Sequence, residues 1–200
     1  IPVSRVHFCS LHCRMRLVEY FVNKLVSDVW SQVGLSGTDW ASRQGKLKDL
    51  EDELRRVGLY GGNVEIRKDT KRSTKNGPAQ FKKLSMNGDL CKKLLKRDGG
   101  MGFKALIGIV TPGSARREAL LRVWGNLVKV CHYLEVISLT DEEKTAWPAL
   151  IQAFLTDYIS LYGQRISKYM YILATVGEIY MYKHGAFAVW NAQAMEKSHS

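Results

Sequence analysis

The stretch FCSLHCRMRLVEYFVNKLVSDVWSQV, residues 8–33, decides the fold class. Leu11, Met15, Val18, Val22, Leu25, Val29 and Val33 recur at spacings of three and four, which lines one side of a helix and does not fit the two-residue period of a strand. Gly34-Leu35-Ser36-Gly37 ends the pattern, and Thr38 or Asp39 can cap a second helix that runs to about Val57, before Gly58. Its apolar stripe is Leu47, Leu50, Leu54 and Val57. Lys48/Asp52, Glu51/Arg55 and Asp52/Arg56 stand four apart, so the acidic run Asp49 to Glu53 reads as a solvated helix face.

From Tyr60 the texture changes. YGGN (60–63) is a turn signal, Val64-Glu65-Ile66-Arg67 alternates with period two, and KNGPAQFKKL (75–84) offers an Asn-Gly turn followed by a short run. A short basic β-hairpin or a loop is therefore expected near residues 63–85; Pro78 and the charge density suit either form. Asn87 can cap a short helix, GDLCKKLLKR (88–97), with Leu90, Leu94 and Leu95 inward and Lys92, Lys93, Lys96 and Arg97 outward or flanking. MGFKALIGIVTPG (101–113) is a small apolar segment closed by Pro112-Gly113.

Ser114 can cap a long helix to about Ser138, with Leu120, Val123, Trp124, Leu127, Val130, Cys131 and Leu134 as its buried stripe. Thr140-Asp141-Glu142-Glu143 has the form of a capping box and marks the clearest boundary in the chain. Residues 141–196 read as helix-rich, with breaks expected at Pro148, Gly163, Gly177 and Gly185, and they hold half of the aromatic residues. There is no internal repeat of solenoid length. These elements predict a mainly α protein, built as two small lobes or one bundle-like domain. Its parts would be an N-terminal helical part (1–62), a basic hairpin or loop with a short helix (63–112) and a C-terminal helical part (113–200), which can also form one continuous domain.

A chain of 200 residues at 46% hydrophobic can bury a real core. Its net charge of +11 favours an anionic partner, and the charge is localised. Residues 65–104 carry 12 Lys and Arg against 4 Asp and Glu, a net +8, while 1–64 carry +2 and 105–200 carry +1. The four cysteines, Cys9, Cys13, Cys91 and Cys131, lack the spacing of a disulfide scaffold, which points to reduced thiols and a cytoplasmic or nuclear setting. No Asn-x-Ser/Thr acceptor occurs, and no apolar run approaches the roughly 20 residues of a membrane span, so a non-secreted protein without a transmembrane segment is expected. The chain opens on Ile1-Pro2 without a Met, as a processed product or a piece of a longer one would.

Several residue groups invite a chemical reading. His7, Cys9, His12 and Cys13 place four possible zinc ligands within seven residues. On a helix, however, Cys9 and Cys13 share a face from which His12 projects away, and structural zinc sites usually join two separated ligand pairs, so no metal is expected there. No nucleophile elbow or other local catalytic signature accompanies these residues. The turn Gly99-Gly100-Met101-Gly102-Phe103-Lys104 could cradle a backbone phosphate, but it lacks the Walker ending and the dinucleotide fingerprint. The expectation is a non-enzymatic protein without cofactors; a metal-dependent enzyme is the least favoured alternative.

The basic tract carries the functional expectation. Arg67, Lys68, Lys71, Arg72, Lys75, Lys82, Lys83, Lys92, Lys93, Lys96, Arg97 and Lys104 can neutralise successive phosphates, and Tyr60, Phe81 and Phe103 at its borders can stack on unpaired bases. RNA or single-stranded nucleic acid is the expected ligand. The alternative is a peripheral, matrix-type scaffold that turns the same patch to an anionic membrane; the Gly, Asn and Ser flanks favour a polyanion in water. Tyr169/Tyr180 and Tyr171/Tyr182 recur at a spacing of eleven, close to three helical turns, and suit contact between copies in a homo-oligomer. In general layout, a small basic helical protein with a charged segment between two helical parts, the chain looks like nucleocapsid or matrix proteins of RNA viruses. That resemblance of architecture implies nucleic-acid packaging or membrane scaffolding, and a virion location if the source is viral.

Overall fold

The computed structural model describes residues 9–32, 40–56, 85–96, 101–110 and 115–190. Among the described residues there are eight α-helices, a closing 3-10 turn and no strand, so the protein is mainly α. The helices are α1 (Ser10–Gln32), α2 (Trp40–Arg56), α3 (Gly88–Lys96), α4 (Met101–Val110), α5 (Ala115–Tyr133), α6 (Asp141–Tyr162), α7 (Lys168–Thr175) and α8 (Gly177–His184), and the 3-10 turn spans Phe187–Trp190. Residues 63–84 of the expected hairpin, and the expected caps Thr38, Asp39 and Ser114, lie outside the described residues. The chain divides into two compact units, one comprising Ile1–Leu17 with Glu118–Ser200 and the other Val18–Arg117. The start of the chain thus groups with the C-terminal helices and not with the segment that follows it in sequence.

In the unit Val18–Arg117, α1 buries Val18, Phe21, Val22, Leu25, Val26 and Val29. The stripe is wider than spacing alone implied, because Phe21/Val22 and Leu25/Val26 are apolar doublets and both members of each go inward. Leu50 and Leu54 of α2 are buried, and the acidic run of that helix is exposed at Asp49 and Asp52 and half-buried at Glu51 and Glu53. Its ion pairs form at i,i+3: Arg55 to Asp52 at 3.2 Å, and Arg56 Nε to Glu53 Oε2 at 2.7 Å. Asn87 caps α3 by accepting the Leu90 N–H at 2.9 Å. Just before it, the Met86 N–H donates to Glu19 Oε2 at 3.3 Å. Both α2 and α3 pack on α4, and the apolar segment 101–113 is thus helical over Met101–Val110, with Phe103, Leu106 and Ile107 buried.

In the other unit the expected stripe of α5 is buried at all seven positions, from Leu120 to Leu134. The helix stops at Tyr133, five residues before the expected end, where the Glu135 N–H turns back onto the His132 carbonyl at 2.9 Å. Just beyond this end, the Glu135 carboxylate pairs with the buried Arg14 at 2.9 Å. The capping box of α6 is complete: Thr140 Oγ1 accepts the Glu143 N–H at 3.2 Å, and Glu143 Oε2 accepts the Thr140 N–H at 2.8 Å.

One expected break in the C-terminal part is not a break, and another falls one residue from its expected place. Pro148 rides inside α6, which continues to Tyr162. An interior proline forfeits one ladder bond and costs about 3 kcal/mol. Trp147, Ile151, Phe154 and Tyr158, all buried on one face, offset it at roughly 1.5–3 kcal/mol each. Gly177 begins α8, and the interruption lies one residue earlier at Val176, φ −120° and ψ −18°. Gly163 and Gly185 do end helices, at φ +79° and +82°, where any other residue would be strained.

Trp147 organises this region. Its ring lies 4.9 Å from Phe187 and 5.3 Å from Tyr133, while Tyr180 stacks on Phe187 at 5.8 Å and 6°. The space for these rings exists because residue 177 has no side chain: a Cβ there would stand 3.1 Å from Trp147 Nε1 and 3.3 Å from Phe187 Cζ.

Gly177→Ala is therefore expected to lower stability by about 1–3 kcal/mol through overpacking. Gly125→Ala, at a helical site with nothing within 4 Å, should raise it by about 0.5–1 kcal/mol. Urea denaturation of the two variants checks both signs. A second expectation concerns alkaline pH. Burial pushes the Cys13 thiol up, aided by the Cys131 and Cys9 sulfurs. Burial likewise pushes up the Tyr180 phenol, aided by Cys9, and the Tyr133 phenol, aided by Glu143. Groups harder to ionise folded than unfolded contribute their full stability below the unfolded pKa and lose it as pH rises. The melting temperature should fall from about pH 9 for the thiol and about pH 10 for the phenols upward. Tyr180→Phe should fall less steeply than wild type above about pH 10 in a melting series.

Candidate nucleic-acid interface

The described part of the basic tract is α3 with α4. On α3, Leu90, Cys91 and Leu94 are buried against protein, and helical pitch turns Lys92 and Lys93 to the other side. Lys93 is exposed and Lys92 half-buried. On α4, Lys104 is exposed, one residue from the buried Phe103. The same apolar anchors that fold these helices therefore fix the outward direction of their lysines.

Phe103 corrects one expectation. It is 1% exposed and belongs to the core of its unit, so its ring offers no face to an unstacked base. The reason is the α4 register: Phe103, Leu106 and Ile107 stand at three and four, and the apolar side is the side that packs on α2 and α3. The expected phosphate cradle also changes character, because Met101–Lys104 form the first turn of α4. Arg67, Lys68, Lys71, Arg72, Lys75, Lys82, Lys83, Arg97, Tyr60 and Phe81 lie outside the described residues.

Two further cations of the same unit lie outside the basic tract defined from the sequence. Arg116 and Arg117 occupy the first turn of α5, where the helix dipole disfavours cations. Arg116 is offset by Asp28 at 2.9 Å, and Arg117 is exposed. The signal available was that electrostatic misfit itself: two arginines at a helix N-terminus need a reason.

The tyrosines separate into two classes. Tyr171 and Tyr182 are 59% and 60% exposed, while Tyr180 is 6% exposed and stacked on Phe187. Tyr169 is half-buried. Tyr180 is thus a core residue and not a contact residue, because it stands on the side of α8 that packs against α6. Ile179, 52% exposed, joins Tyr171 and Tyr182 as a surface residue of the α7–α8 segment, a partner that tyrosine spacing alone could not reveal.

Other chemistry is sparse among the described residues. No group of three or more His, Cys, Asp or Glu side chains there could hold a metal ion, and no helix there is long and apolar enough to cross a membrane. A groove of about 560 Å³ beside α5 and α6 is lined by Lys129, His132, Tyr133 and Leu150 among others. It has no carboxylate, and its Asn126 is committed to Asp157 at 3.1 Å. The Cys/His group is arranged differently from expectation: His12 does not project away, since its Nδ1 lies 2.9 Å from Cys9 Sγ. Cys9 immediately precedes the first residue of α1, and a side chain at that position reaches toward the third helical residue, here His12. Comparison with known protein families, with curated proteins and with solved structures finds no match.

Anchoring and charge in α3 should be separable. Leu94→Ala is expected to cost about 2–3 kcal/mol of stability, whereas Lys93→Ala and Lys104→Ala should each stay within about 0.5 kcal/mol. Chemical denaturation of the three variants tests this division.

Proposed function

We propose that the protein is a non-enzymatic binder of RNA or single-stranded nucleic acid that coats or packages its ligand, with residues 64–104 as the phosphate track. One observation carries this reading: a net +8 is concentrated in residues 65–104 of a chain whose remainder is close to neutral. A protein needing charge only for solubility has no reason to gather it. The geometry of α3 and α4 supports the reading, because Lys93 and Lys104 are presented on helices whose opposite sides are anchored in a core. Ligand phosphates would be held by counterion release, with affinity largely independent of base sequence. The exposed Tyr171, Ile179 and Tyr182 support self-association through α7 and α8, which is what coating a long ligand requires.

The test is the salt dependence of binding to a fluorescent single-stranded RNA. Each phosphate contact contributes about 0.7 to the slope of log affinity against log salt for single strands. Replacing Lys71, Arg72, Lys75, Lys82 and Lys83 together by Ala should flatten that slope by about 3, with melting temperature held as the control. An unchanged slope, or stronger retention on anionic vesicles than on RNA at equal salt, removes the nucleic-acid reading.

A further inference from the structure

The first turn of α1 carries a cluster of side chains that nucleic-acid binding does not use. Cys9 is half-buried, and its thiol meets Nδ1 of the exposed His12 at 2.9 Å. The Cys9 carbonyl accepts the Cys13 N–H at 3.0 Å, the first bond of the helical ladder, so Cys13 sits one turn further along the same side. Cys13 and Cys131 are both buried. The three thiols therefore differ in kind: one reaches the surface beside an imidazole, and two are sealed in apolar surroundings.

We propose that Cys9 is a peroxide-reactive thiol, with His12 as its base and Cys13 as the thiol that resolves its oxidised form into a disulfide across the first turn of α1. In the first step the Cys9 sulfur attacks one oxygen of hydrogen peroxide. An S–O bond forms and the O–O bond breaks; the thiol proton passes through His12 to the departing hydroxide, leaving a sulfenic acid and one water. Sulfur is oxidised by two electrons and peroxide is reduced by the same two. In the second step the Cys13 sulfur attacks Cys9. The S–S bond forms, the S–O bond breaks, and the sulfenic oxygen leaves as water with the Cys13 proton.

The geometry sets the order of events. Cys13 and Cys131 are buried whereas Cys9 is only half-buried, so peroxide from solvent meets Cys9 first, and the Cys13 proton leaves only in the second step, to the departing sulfenic oxygen. Side chains four apart on a helix have Cβ atoms roughly 5–6 Å apart. A disulfide needs about 3.5–4.5 Å. Cys9 lies before the first helical residue, so it can close that gap at the expense of its single bond to the Cys13 N–H while the rest of the ladder stands.

The experiment treats the full-length chain with stoichiometric hydrogen peroxide near neutral pH, with and without dimedone, and maps each cysteine by peptide mass spectrometry. Wild type should form the Cys9–Cys13 disulfide while the buried Cys91 stays reduced. Cys13→Ala should instead accumulate Cys9 sulfenic acid that dimedone traps, and Cys131→Ala should behave as wild type. His12→Gln, with circular dichroism confirming the fold, should slow Cys9 oxidation roughly tenfold or more. Cys9 oxidation no faster than that of Cys91, an unchanged rate in His12→Gln, or a bridge from Cys9 to Cys131 overturns the proposal.

Discussion

The C-terminal helices depend on one bare position. Trp147 and Phe187 come within van der Waals reach of the Gly177 backbone, and a methyl group there would collide with both rings. That close approach lets α6 and α8 meet around Trp147, with Tyr133 on one flank of the indole and the Phe187–Tyr180 stack on the other. Four aromatic side chains are thereby arranged about a residue that contributes no surface of its own. The exposure of Tyr182 follows from the same packing, because turning Tyr180 and Met181 of α8 inward leaves Ile179 and Tyr182 on the outward side of that helix.

Several cations outside the basic tract have an acidic partner close by: Arg14 with Glu135, Arg116 with Asp28, Arg56 with Glu53, Lys144 with Asp141. Surface pairs of this kind add little to stability. Arg14 is the exception in energetic terms, since its side chain is 5% exposed and loss of the Glu135 carboxylate would strand a buried charge.

Much of the helical skeleton was legible because it rests on local rules. The α5 stripe, the Thr140–Glu143 capping box, the Asn87 cap and the glycine stops at Gly163 and Gly185 each need only neighbours within about one or two turns. Two of the misreadings were nonlocal. Pro148 was tolerated because four large side chains on α6 had partners to bury against. Gly177 was needed for an approach by Trp147, thirty residues away in sequence, and not for a turn. Within the candidate site, composition located the basic tract and periodicity gave the outward lysines of α3. Phe103 looked available only because a phenylalanine next to a lysine does not reveal which side of a helix will be covered.

By itself, then, the sequence determined the helical class, most of the caps and stripes, and the concentration of positive charge in residues 65–104, because each is set by spacing or count along the chain. Tertiary structure alone decided which aromatic residues became core, which tyrosines stayed on the surface, and that Cys13 would be buried one turn beyond Cys9. Those outcomes turn on which elements come to lie against one another, and burial depends on the partner surface as much as on the residue that it covers.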